Sequence, residues 1–116
     1  MIEVNPRLTT SYVGLSKVVS FNPAQAIINA ALNRELPESN QSLGYAFFSK
    51  VKTLKPTIEV LQKTYKMEEL VSPPFLVPCN GTAYALVLSH RATLKEAMTG
   101  FHEAKKHFLS IISRGE

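Results

Sequence analysis

The sequence predicts a mainly α (α+β) fold: a compact bundle of four to five helices with one short β-hairpin near residues 75–89. Three observations carry that expectation. Apolar residues recur at helical spacing along most of the chain. Pro23, Pro37, Pro56 and the Pro73-Pro74 pair divide it into helix-length pieces. Asn80-Gly81, set between two apolar runs, is a strong short-range hairpin signal. The alternative is an all-α bundle ending in one long C-terminal helix. The 116 residues, 45% hydrophobic and 19% charged, suit a single globular domain over 1–116.

Residues 1–11 read as an extended N-terminal arm, because Asn5-Pro6 disfavours helix. Residues 12–21 fit a strand through Val13, Leu15, Val19 and Phe21, or a helix through Tyr12, Leu15 and Val19. Helix is preferred, since no turn and partner strand lie nearby. Asn22-Pro23-Ala24-Gln25 then places an N-cap before a first-turn proline, with Gln three residues after the cap. The helix that follows is expected to run to about Leu36, stopped by Pro37, and to bury Ala24, Ile27, Ile28, Ala31 and Leu32.

After a polar turn at Ser39–Ser42, a helix over about 41–54 would align Leu43, Phe47, Val51 and Leu54 on one stripe, leaving Tyr45 and Phe48 off it. A helix over about 57–70 would bury Ile58, Val60, Leu61, Thr64, Tyr65 and Met67. The segment FLVPC and the segment TAYALVLS would form the two arms of the hairpin. Carrying the last helix back through Thr93 would put His90 in mid-core and Leu88 in solvent, so a break is expected near 89–93. Thr93-Leu94-Lys95-Glu96 is a capping box at that break. The final helix, about 94–113, presents Leu94, Ala97, Met98, Phe101, Ala104, Phe108, Leu109, Ile111 and Ile112 as one broad apolar face.

The composition removes several chemistries. All nine acids are Glu, and the absence of Asp speaks against EF-hand loops, Asp-based Mg²⁺ sites and a Ser-His-Asp triad. No glycine-rich phosphate loop is present. His102 and His107, roughly 140° apart around a helix axis, cannot share one ion, and His90 with His102 and Cys79 could meet only through the fold. No metal and no cofactor are therefore expected. Cys79 as a nucleophile served by His90 is the one enzymatic reading, and no sequence feature shows that contact. The lone cysteine points to a reducing, cytoplasmic setting. No signal peptide is legible at the N-terminus. The uncharged run Leu70–Ser89 is interrupted by prolines and glycine and is not a membrane span, so no membrane partner is expected.

Two pattern breaks remain. Glu68 and Lys105 fall on apolar helix faces, either reaching water or pairing with each other. The formal charge of +4 is concentrated: residues 50–66 hold Lys50, Lys52, Lys55, Lys63 and Lys66 against Glu59 alone, and both flanks are balanced. Lysines beside Tyr45 and Phe48 suit phosphate contact, but the absence of arginine from the cluster speaks for unspecific attraction. A helix-turn-helix over 23–54 is a weaker version of the same reading, with an over-long connection. Phe75, Leu76 and Val77 form an apolar anchor outside any helix. These features point to a small non-enzymatic binding or regulatory protein, acting through a protein partner or as a homo-oligomer. The expected surface is Lys50, Lys52, Lys55, Lys63 and Lys66 with Phe75, Leu76 and Val77. Nucleic-acid binding through the same lysines is the alternative, and a Cys79-based enzyme the third.

Overall fold

A computed structural model describes residues 10–37, 41–71 and 81–114. The chain divides into two compact units, Met1–Leu43 and Gly44–Glu116. Among the described residues there are four helices and one two-stranded antiparallel sheet. The α+β character agrees with the sequence. The bundle of four to five helices does not form, and neither does the all-α alternative.

In the first unit, α1 spans Thr10–Val18 and α2 spans Pro23–Ala31. The helical choice for the segment after residue 11 holds, and the last two residues of the expected arm are already helical. Residues 1–9 lie outside the described set. Past α1 the backbone turns extended, and Val19 forms a single antiparallel bridge with Ser42. The Asn22 cap is present: its side chain accepts a 3.2 Å bond from the Gln25 N–H. The Gln25 side chain does not complete the box and donates instead to Asn29 Oδ1 at 2.9 Å.

Helix α2 ends five residues before the expected stop. Asn33 adopts φ 52°, the Asn33 N–H reaches the Ala30 carbonyl at 3.3 Å, and the Arg34 N–H reaches that of Asn29 at 2.7 Å. This is a Schellman cap, with asparagine in the left-handed position that glycine usually fills. The five residues assigned to a buried face, Ala24, Ile27, Ile28, Ala31 and Leu32, are all exposed.

In the second unit, β1 (Tyr45–Leu54) pairs with β2 (Thr82–Arg91) from Tyr45↔Arg91 to Leu54↔Thr82. The helix expected over 41–54 is thus a strand, and the helix-turn-helix falls with it. Residues 47 and 51 share a face at a spacing of four in a helix, and equally in a strand of period two. Only Leu54, which the strand turns to the opposite face, separates the two, and it favours the helix. The strand expected within 82–89 forms, but its sheet partner is β1. The other arm of the expected hairpin, 75–79, lies outside the described residues.

Between the strands, α3 covers only Ile58–Thr64, capped by Thr57 Oγ1 accepting from the Val60 N–H at 3.4 Å. It buries Val60 and Thr64 and leaves Ile58 and Tyr65 largely exposed, so the inward stripe is narrower than expected. The chain then runs beside β2: the Leu88 N–H bonds the Glu69 carbonyl at 2.8 Å and the Val71 N–H bonds that of Leu86 at 3.2 Å.

The last helix, α4 (Leu94–Arg114), matches the sequence most closely. Thr93 Oγ1 accepts from the Glu96 N–H at 3.2 Å, placing the break where the capping box predicts it. Ala97, Phe101, Ala104, Phe108 and Ile112 are buried, while Leu94, Met98 and Leu109 at the margins are exposed. The buried stripe packs on both strands. Val51, Ala85 and Val87 from the sheet, Val60 and Met67 from around α3, and Phe101, Ala104, Phe108 and Ile112 from α4 form one core. Phe47 tilts onto Phe101, with ring centroids 4.9 Å apart. Alanines at 83, 85, 97 and 104 let helix and sheet approach closely. Glu68 and Lys105 are both exposed, so neither carries a burial penalty that calls for an ion pair.

Candidate interaction surface

Strand parity decides what the second unit offers to a partner. Odd-numbered residues of β1 and β2 face α4. Even-numbered ones form the opposite face: Ala46, Phe48, Lys50, Lys52 and Leu54 against His90, Leu88, Leu86, Tyr84 and Thr82. Lys50 lies across from Leu86, and Lys52 across from Tyr84. Both lysines are exposed, while Phe48, Tyr84 and Leu86 are half-buried. These ten strand positions contain no acid; Glu69, beyond β2 and opposite Leu88, lies on the same face, on the side of β2 away from Lys50 and Lys52.

The same parity fixes where the backbone points. The N–H of Leu88 and the carbonyl of Leu86 turn away from β1, toward residues 69–71. In an antiparallel ladder, a residue's N–H and C=O lie on one side, and successive residues alternate. Odd residues of β2 therefore bond to β1, and through the register the odd residues of β1 bond back. The Lys55 N–H, bonded to the Gly81 carbonyl at 2.8 Å, continues that odd series. Ala46, Phe48, Lys50, Lys52 and Leu54 consequently direct their N–H and C=O groups outward, along the edge of β1 remote from β2. Among the described residues nothing pairs with that edge. The Lys50 carbonyl takes only a long 3.4 Å bond from the Ser49 hydroxyl.

The sequence-derived lysines separate in the fold. Lys50 and Lys52 share the outer sheet face. Lys55 follows the end of β1. Lys63 sits on α3, which packs with α4 in the helix layer, and Lys66 follows it; all five are exposed. Phe75, Leu76 and Val77, like Cys79, lie outside the described residues. A helix over 41–54 gives Lys50 and Lys52 no neighbours at Tyr84 and Leu86; the strand does. The alternation Lys50-Val51-Lys52 against Tyr84-Ala85-Leu86 is the signal that marks them.

A second feature is a shallow cleft of about 500 Å³ lined by Arg91, Lys95, Glu96, Thr99, Gly100 and Glu103. Its two cations and two anions balance, so it selects no ligand charge. Among the described residues no three metal-ligating side chains gather, and no helix is long and apolar enough to cross a membrane. Comparison with protein-family models, with curated proteins and with solved structures finds no match to this chain.

Proposed function

We propose that the protein is a non-enzymatic binding protein whose β1 edge takes up an extended segment of a protein partner as an added strand. The observation that carries this reading is the ten-residue edge itself, which directs five N–H and five C=O groups outward. Strand addition uses such an edge for main-chain hydrogen bonds, with alternate side chains giving selectivity. In the first unit, taken by itself, Ile27 and Ile28 on α2 and Leu32 just after it are exposed apolar side chains of the kind suited to protein contact. The lone cysteine favours a cytoplasmic setting.

The test is affinity capture from the native host with the wild-type chain and with Lys50→Pro, which deletes one outward N–H. A partner held by the wild type and released by a folded Lys50→Pro supports the reading. A partner held equally by both overturns it.

A second reading is binding of single-stranded nucleic acid, favoured by Phe48, Lys50, Lys52 and Tyr84 on one sheet face. It requires a mobility shift that falls steeply with salt and weakens in Lys50→Glu and Lys52→Glu. No shift at low salt removes it.

A further inference from the structure

We infer that the strand added to β1 is acidic, with carboxylates two residues apart and an apolar residue between them. This rests on the strand-addition reading above and names the chemistry of the partner. The outward-pointing backbone groups of β1 belong to the even residues, and so do the side chains of Lys50 and Lys52. When the incoming strand runs antiparallel to β1, the residue that bonds the backbone of Lys50 has its side chain on the outer face, directly beside the ammonium-bearing stem. The residue two along stands in the same relation to Lys52. Two carboxylates at that spacing meet two exposed cations on the β1 side of the face, where none of the ten strand positions is acidic.

The residue between them falls opposite Val51, on the inner face. Val51 is buried in the core and Phe47 packs on it, so an apolar side chain there extends the same core outward. The required pattern is thus acid–apolar–acid.

A second copy of β1 fits less well. Backbone matching pairs even residues with even residues, which sets Lys50 and Lys52 against the same lysines of the other copy, directly or diagonally. Four ammonium groups would gather on one face with no acid among them. The lysines thereby discourage self-pairing while selecting an acidic strand.

The experiment uses the full chain and three labelled synthetic peptides read by fluorescence anisotropy: Thr-Glu-Val-Glu-Val-Thr, the same peptide with both Glu replaced by Lys, and the same with both replaced by Thr. Oligo-dT is the nucleic-acid probe. The acidic peptide is expected to bind roughly tenfold tighter than the neutral one. It should also slow amide exchange at Phe48, Lys50 and Lys52. The Lys50→Glu/Lys52→Glu double variant, its fold checked by circular dichroism, should reverse the preference toward the lysine peptide. Neutral and lysine peptides that bind as well as the acidic one, with the same amide protection, overturn the acidic preference and leave strand addition standing. No peptide binding and no protection at millimolar concentration overturn both. Oligo-dT binding that weakens in Lys50→Glu/Lys52→Glu, with no peptide binding, likewise overturns both, in favour of nucleic acid. Lys50→Thr/Lys52→Thr supplies a second check: undiminished affinity for the acidic peptide overturns the inference without any charge reversal.

Discussion

Gly100 of α4 lies directly over Ser89 of β2: a Cβ built on Gly100 would come within 2.5 Å of the Ser89 hydroxyl oxygen. Ser89 is 1% exposed, and among the described residues its Oγ has no hydrogen-bond partner. A buried hydroxyl left unpaired costs about 1–3 kcal/mol, so this contact is a local weakness as well as a close approach.

The two residues should therefore be coupled. Ser89→Ala alone is expected to stabilise the chain by about 1 kcal/mol, since it removes an unsatisfied group without opening a large cavity. Gly100→Ala alone should destabilise by about 1–3 kcal/mol through overpacking. In the Ser89→Ala background, the oxygen that blocks the new Cβ is gone. Gly100→Ala should then become neutral or gain up to about 1 kcal/mol from helix propensity. Urea unfolding of the four chains reads the cycle. Additive effects would show that the two side chains do not meet.

Gly44 has a comparable constraint at the start of β1. Its φ is +110°, and an added Cβ would run into the carbonyl oxygen of Arg91 across the ladder. That backbone conformation alone costs a non-glycine residue about 1–3 kcal/mol. Because the blocking atom is backbone, no side chain can move aside. Gly44→Ala should lower thermal stability and free the Tyr45–Arg91 end of the ladder first, seen as faster amide exchange at Tyr45. Unchanged exchange there would show that the strand does not depend on this glycine.

The parts of the fold that were legible in sequence are those with a local chemical cause. Thr93 and Glu96 define the start of α4 through a side-chain bond, and Asn22 with Pro23 defines the start of α2. Residues 45–54 were not legible as a strand, because Phe47 and Val51 satisfy both periods. What decides between them is the partner: Ala83, Ala85 and Val87, far along the chain and paired with Thr53, Val51 and Ser49, supply the ladder. The candidate surface suffered the same loss. A helical wheel scatters Phe48, Lys50 and Lys52, whereas a strand places them in one row. The stop of α2 was missed for a different reason. Pro37 is a visible stop, but Asn33 reaches the left-handed region first.

That stop can be tested directly. Asn33 at φ 52° tolerates a conformation in which glycine has no steric penalty. Asn33→Gly should hold or slightly raise stability, while Asn33→Val, β-branched in the left-handed region, should cost about 1–2 kcal/mol. The Arg34 amide, bonded to Asn29 at 2.7 Å, is the local probe. Its exchange should accelerate in Asn33→Val and stay slow in Asn33→Gly. Equal exchange in the two variants would mean that the cap does not end the helix.

The parity of β1 gives the sharpest prediction, because neighbouring exposed residues should respond oppositely to one substitution. Ser49 and Lys50 are both exposed, so replacing either side chain removes little packing. Ser49 lies in the odd series, whose N–H groups bond to β2; Lys50 lies in the even series, whose N–H groups point outward. Proline has no N–H and is tolerated in strands chiefly where that group would face solvent at an edge. Lys50→Pro should therefore leave the fold intact and change stability by about 1 kcal/mol or less, whereas Ser49→Pro should cost about 3 kcal/mol or more, through a lost ladder bond and a ring pressed against β2. Amide exchange of the wild type should show the same alternation, with Phe47, Ser49, Val51 and Thr53 protected and Ala46, Phe48, Lys50 and Lys52 fast. If both prolines destabilise equally, the outer edge of β1 is already occupied within the protein's own fold, and strand addition at that edge is ruled out.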